Sequence, residues 1–264
     1  MRRHDELERF EATSRDGTLV RGVRRPGRGE PVVLIHGVAM DIGVWPESGF
    51  FDALPGAELI AFDLRGRGAS ERVGTAEAHA VDRYVEDVQA VLDAFAHPSC
   101  SLFGLYFGGR VGLLTAEVDP RVSRVFSFCA HGERVEIPVD AVEDEAAAIA
   151  GGRGHAYLTD HFTAAGAPRW MVSACDRVDR AEVAAATRGL LHGSDRGARR
   201  GFAGQELVLI TANGDGELDT FQAGARRLGA QLWLVDDRTR VRAAARVAEV
   251  GARVAGLLGT GAGG

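Results

Sequence analysis

One stretch limits what this chain can become: Ser101-Leu-Phe-Gly-Leu-Tyr-Phe-Gly-Gly-Arg-Val-Gly-Leu-Leu-Thr115. A short apolar run enters Gly104, the chain turns at Tyr106, and Gly108 and Gly109 lead into apolar positions at helical spacing. Strand, sharp turn and helix in so few residues need glycine on both sides of the turn, where a Cβ would crowd the passing backbone. Such a turn perches one side chain above the sheet. Here that side chain is the phenol of Tyr106.

Other segments give the turn its setting. Residues 6–24 alternate apolar and polar positions about Arg15-Asp16-Gly17, the pattern of two strands joined by a hairpin. Pro31–His36, Glu58–Asp63, Val122–Cys129, Glu206–Thr211 and Gln231–Val235 are short apolar runs, as expected of strands buried on both faces. Between them, residues 80–96, the stretch after Tyr106 to about Val118, Phe221–Leu228 and Arg242–Leu258 carry helical spacing. Strands alternating with helices predict a mostly parallel central sheet flanked by helices, an α/β fold. From His131 to about Ala203 the chain becomes alanine-rich and helical, broken at Gly151-Gly152 and Gly193. The expected organisation is a core of residues 1–130 and 204–258, an inserted helical cap of residues 131–203, and a disordered tail of residues 259–264.

Composition narrows the function classes. Net charge is −6, which gives no support for nucleic-acid binding. No apolar run is long enough to span a membrane and the first residues lack a signal-peptide core, so a cytoplasmic protein is expected. Cys100, Cys129 and Cys175 are odd in number and lack metal-ligand spacing, so neither a disulfide framework nor a metal is expected. No cofactor is expected either. Lysine is absent from the chain, which removes Schiff-base chemistry and fits a high-GC genome.

Three ordered motifs carry a resemblance: Val-Leu-Ile-His-Gly37 with Trp45 eight residues beyond, Phe-Asp-Leu-Arg-Gly-Arg-Gly-Ala-Ser70, and the glycine-flanked turn at Tyr106. Together they are similar to the α/β-hydrolase superfamily, from about residue 7 to 258. The resemblance implies a backbone oxyanion hole from the amides of Val38 and Phe107. It matches the nucleophile seat to Tyr106 and the acid to Asp215, with Glu217 and Asp219 as near alternatives. The family histidine belongs after the last strand, near Asp236–Arg240, yet no histidine follows His192. A tyrosine with a pKa of about 10, its oxygen roughly 4 Å further out than a serine's, would overshoot a carbonyl held in that hole. Serine-type ester hydrolysis is therefore not expected.

Remaining candidates are weighed by position. Tyr106 is either a positioned phenol, its pKa lowered by a nearby Arg238 or Arg240, or an aromatic plug in an old substrate channel. His131 follows a strand and is a second acid/base candidate. His36 is expected to brace its loop, and Asp63 and Arg65 to shape the glycine-rich turn. Trp45, Tyr157, His192, Arg238 and Arg240 are candidate ligand contacts, with core packing or solvation as the plain alternatives. Two function classes stay open. One is atypical, non-hydrolytic acid/base chemistry on a small organic molecule such as a natural product: cyclisation, dehydration, enolisation or C–C cleavage. The other is a pseudoenzyme that binds a small ligand or a protein partner. A hydrolase with a relocated base at His131 or His192 is a third reading. Oligomeric state is not legible.

Overall fold

A computed structural model describes residues 7–133, 138–192, 197–198, 202 and 204–259. Its elements run β1 (Glu8–Thr13), β2 (Leu19–Arg25), β3 (Arg28–Ile35), α1 (Val44–Glu47), α2 (Phe50–Ala53), β4 (Ala57–Phe62), a 3₁₀ turn (Glu77–His79) and α3 (Val81–Phe95). Next come β5 (Cys100–Leu105), α4 (Phe107–Val118), β6 (Val122–Phe128), α5 (Val139–Ala150), α6 (Gly154–Ala164), α7 (Arg169–Cys175) and α8 (Arg180–Gly189). The chain closes with β7 (Glu206–Ala212), α9 (Leu218–Leu228), β8 (Gln231–Val235), α10 (Arg240–Ala243), a 3₁₀ turn (Ala244–Arg246) and α11 (Val247–Leu257). Of the tail expected at 259–264, all but Gly259 lies outside the described residues, as does the break expected at Gly193.

The eight strands form one sheet in the order β1-β2-β4-β3-β5-β6-β7-β8. β2 pairs antiparallel with β1 and β4, and the pairings from β4 through β3, β5, β6 and β7 to β8 are parallel. Alternation along each strand sends apolar side chains into two cores. Val32 and Leu34 of β3, with Phe103 of β5, face the side covered by α11 and Trp45, whereas Val33, Ile35 and Leu102 face α3 and α4. This explains why the strands read as unbroken apolar runs. The one helix expected at Arg242–Leu258 is instead α10, a 3₁₀ turn and α11, with the Thr239 hydroxyl accepting from the Arg242 amide to cap α10. Among the described residues, no helix is long and apolar enough to cross a membrane.

The loop after β4 is braced as its motif suggests. Asp63 accepts from the amides of Ile42 and Ala69, both at 2.9 Å. Arg65 is fully buried and donates to both carboxylate oxygens of the equally buried Asp87, at 2.8 and 2.6 Å, and to Asp16 in the β1–β2 turn at 2.8 Å. A planar guanidinium suits this forked geometry.

Helices α5–α8, inserted between β6 and β7, dock through a second buried network. Asp179 caps α8 by accepting from Ala181, which aims Glu182 inward. Glu182 accepts from the amides of Val73 and Gly74 and, at 2.9 Å, from Nε2 of His79. The Tyr84 hydroxyl in turn donates to His79 Nδ1 at 2.6 Å. Burial above all, helped by the charges of Arg67 and Arg65 and opposed by Glu182, pushes the His79 pKa down to about 4.

The unfolded chain therefore takes up this proton as pH falls through about 6.5, the folded chain only near 4, and stability falls with pH across that window. Buried His36, its pKa also lowered chiefly by burial, acts in the same direction. The His79 contribution amounts to on the order of 3 kcal/mol. Urea denaturation of wild type and His79→Gln at about pH 7 and about pH 4.5 checks it. The wild type is expected to lose more stability on acidification than the variant, and equal losses would contradict the assignment.

Candidate functional site

β5 ends at Leu105 and α4 begins at Phe107, so Tyr106 alone makes the turn, with φ 53° and ψ −114°. That backbone is costly for a residue bearing a Cβ and persists only where its surroundings enforce it. Here the Tyr106 amide donates to the Phe128 carbonyl at 2.7 Å, and its own carbonyl accepts from Gly109 at 2.9 Å. Crowding does the rest: a Cβ on Gly108 would lie 2.1 Å from the Ile35 carbonyl oxygen, and one on Gly104 would lie 2.3 Å from the Gly108 backbone. One strand along the edge, Cys129 also has positive φ, at 64°.

Helix α4 starts at Phe107 with no side chain capping its first amides. Phe107 and Val38 line one cavity of about 230 Å³, together with Tyr106 and residues of the inserted helices. Among the described residues neither the Val38 nor the Phe107 amide has a hydrogen-bond acceptor within the chain. Uncommitted amides at a helix N-terminus favour negative charge. The inserted helices contribute Glu145 and Ile149 from α5, Tyr157, Leu158, His161 and Phe162 from α6, and Val183 and Thr187 from α8. The wall is mostly apolar with a few polar groups, as a small organic ligand requires.

The Tyr106 hydroxyl donates to the Arg240 carbonyl at 3.1 Å, and the Cys129 thiol approaches the same carbonyl at 3.5 Å. Burial, reinforced by Cys129, raises the phenol pKa well above 10 despite the opposing charge of Arg240. This reverses the expected direction. The Arg240 guanidinium is committed elsewhere, held by both carboxylate oxygens of Glu217, one at 2.8 Å. Asp215 is likewise occupied, accepting from the Thr211 hydroxyl at 2.8 Å and the Glu217 amide at 2.9 Å. His131 Nδ1 accepts from the Glu133 amide, its Nε2 lies 3.5 Å from Glu217, and burial lowers its pKa, so the ring is a neutral Nε2–H tautomer. His131, Asp215, Glu217 and Arg240 thus gather beside Tyr106 but do not line the cavity.

The structure brings Tyr106, Val38, Phe107 and Tyr157 together on one cavity and leaves other candidates apart from it. Trp45 is fully buried in the core against Phe50 and Phe103. His192 is exposed, 4.0 Å from Glu77. Arg238 is exposed, its backbone packed beside Gly214. His36 braces its loop, donating from Nδ1 to the Gly37 carbonyl at 2.8 Å and accepting from Leu64 at 3.1 Å. Glu145 was missed. Its signal was spacing, since it lies exposed at the edge of the stripe marked by buried Val142, Ala146 and Ile149.

The model for the alpha/beta hydrolase fold matches residues 30–170, and the chain belongs to that family. Among solved structures, it superposes on the bottromycin epimerase BotH in complex with bottromycin A2 with a TM-score of 0.93. Identity to it is 66%, over 95% of this chain and 99% of that one. An esterase from Exiguobacterium antarcticum, 15% identical over 95% of this chain and 99% of its own, shares the fold with a TM-score of 0.78. A putative carbamate hydrolase, RutD, of Variovorax paradoxus (strain S110) is 38% identical over 100 residues, which is 37% of this chain. A non-heme chloroperoxidase of Streptomyces lividans is 28% identical over 50% of this chain. The chain spans only 36% and 51% of the lengths of these two curated relatives.

A serine placed at the turn tests whether the groups around it can activate a nucleophile. Tyr106→Ser is expected to give no acyl-enzyme burst with p-nitrophenyl acetate, because no imidazole stands where the Arg240 carbonyl now accepts. A burst measured by stopped-flow absorbance would contradict this geometry.

Proposed function

We propose that this chain is an enzyme of non-hydrolytic acid/base chemistry that inverts a stereocentre in a bottromycin-type natural product. The observation that carries this reading is the 66% identity, over nearly the whole chain, to an epimerase solved with bottromycin A2. The geometry at Tyr106 supports its non-hydrolytic part. The phenol is held protonated and donates to a backbone carbonyl, and no histidine follows His192 to activate an attacking oxygen. We therefore read the hydrolase triad as degenerate, with Tyr106 in the nucleophile seat.

Epimerisation beside a carbonyl breaks one C–H bond, moves its electron pair onto the carbonyl oxygen, and returns a proton to the opposite face. The enolate oxygen is where charge develops, and the Val38 and Phe107 amides are suited to hold it without reorganising. In this reading Tyr106 is a neutral wall beneath the reacting carbon. Glu145, Tyr157 and His161 are the cavity side chains able to take or give the proton. His131 and Asp215 serve the site indirectly by holding the Glu217–Arg240 pair whose carbonyl anchors Tyr106. Residues 131–203 act as the cap that selects the substrate. A second reading, a binding module without turnover, is favoured by the commitment of Tyr106 and Asp215 to partners within the fold.

Incubation with bottromycin A2 in D₂O separates them. Deuterium incorporation at carbon and a second chromatographic isomer are expected from mass spectrometry. Saturable binding with neither would overturn the epimerase reading in favour of the binding module.

A further inference from the structure

A complete charge lies directly behind the cavity, in a place where hydrophobic packing would be less costly. Arg67 is 1% exposed and, among the described residues, forms no ion pair within salt-bridge distance. Its Nε donates to the Val38 carbonyl, its Nη1 donates to the Gly66 carbonyl at 3.1 Å, and its Nη2 is buried without a partner. Burying a cation is costly unless nearby negative charge offsets it. The offsetting carboxylates are Glu182 and Asp179 at the start of α8. Glu182 packs against the Gly66 that Arg67 holds, where a Cβ would lie 2.3 Å from its Oε2. Buried Tyr84 keeps its proton, and the neighbouring His79 and Arg65 supply no negative charge.

We propose that Arg67 is a positioning residue for the Val38 amide, and that Glu182 on the inserted helices supplies the counter-charge that keeps it in place. This rests on the reading of the Val38 and Phe107 amides as the oxyanion hole. The Val38 N–H shares its planar peptide unit with the Gly37 carbonyl, which His36 Nδ1 holds. The Val38 carbonyl belongs to the next unit, which Arg67 holds, so the two anchors together restrict the φ and ψ of Val38 about which its N–H could swing. A hole donor must be aimed within a narrow range of the developing charge. With His36 holding the unit that carries the N–H, the Arg67 fork, anchored at Gly66 and Val38, locks the unit on its other side. Glu182 meanwhile joins α8 to His79, Val73 and Gly74, so seating of the inserted helices and orientation of the hole become one event. Leu190 and Thr187 of the same segment line the cavity, which puts ligand contact and counter-charge on one element.

The test compares wild type with Arg67→Met, Arg67→Lys and Glu182→Gln in three readouts. These are amide hydrogen exchange of residues 36–41 without ligand, the Kd for bottromycin A2, and the rate of deuterium incorporation into it. Arg67→Met is expected to lose protection in residues 36–41 and to slow incorporation about 10²-fold, with Kd changed less than about threefold. Arg67→Lys is expected to recover part of both, since an ammonium can still donate to the Val38 carbonyl. Glu182→Gln is expected to shift both readouts in the direction of Arg67→Met. Undiminished protection of residues 36–41 in a folded Arg67→Met would overturn the proposal, as would a parallel fall of binding and rate. Wild-type protection in Glu182→Gln would overturn the counter-charge role. If wild type itself incorporates no deuterium, the epimerase reading fails, and protection of residues 36–41 still decides the role of Arg67.

Discussion

The structure depends on a backbone held where side-chain-bearing residues seldom go. Tyr106 sits at φ 53° because β5 must end and α4 must begin within one residue, with the Ile35 carbonyl pressed against Gly108. Two consequences follow from that one strained peptide. The side chain of Tyr106 is lifted off the sheet into the cavity wall, and the first amide of α4 is left uncommitted beside it. Everything that covers the site, from the His36–Gly37 loop to the inserted helices, is arranged about these two groups.

Family membership and chemistry part company here. The chain belongs to the alpha/beta hydrolase fold, yet the residue at its strand–helix turn is a tyrosine whose hydroxyl is spent on the Arg240 carbonyl. On our reading the working groups are backbone amides, which need no particular side chain to polarise a carbonyl. On our reading an enzyme that has lost its attacking oxygen can still lower the cost of removing a proton next to that carbonyl. The cavity then decides the substrate through α5, α6 and α8, the part of the chain least constrained by the sheet.

Legibility in the sequence followed the range of the forces involved. Strands such as Val32–Ile35 were readable because a doubly covered sheet demands apolar residues in succession, and the turn at Tyr106 because glycine crowding is local. Trp45 was read as a candidate pocket wall, yet packing against Phe50 and Phe103 draws it into the core. The phenol pKa is expected to fall because Arg238 and Arg240 stand where the resemblance places the family histidine, but Glu217 holds Arg240 and burial decides the sign. Glu145, Arg67 and the His79–Glu182 contact were hidden because each depends on which helix docks where, a matter of packing between elements far apart in the chain.

The central claim is that the Val38 and Phe107 amides hold the reacting carbonyl oxygen. A crystal structure of the protein with bottromycin A2 tests it most directly. The account predicts one ligand carbonyl oxygen within about 3 Å of both amide nitrogens, with the adjoining carbon over the Tyr106 ring. A ligand bound in the cavity with both amides out of hydrogen-bond reach would contradict it.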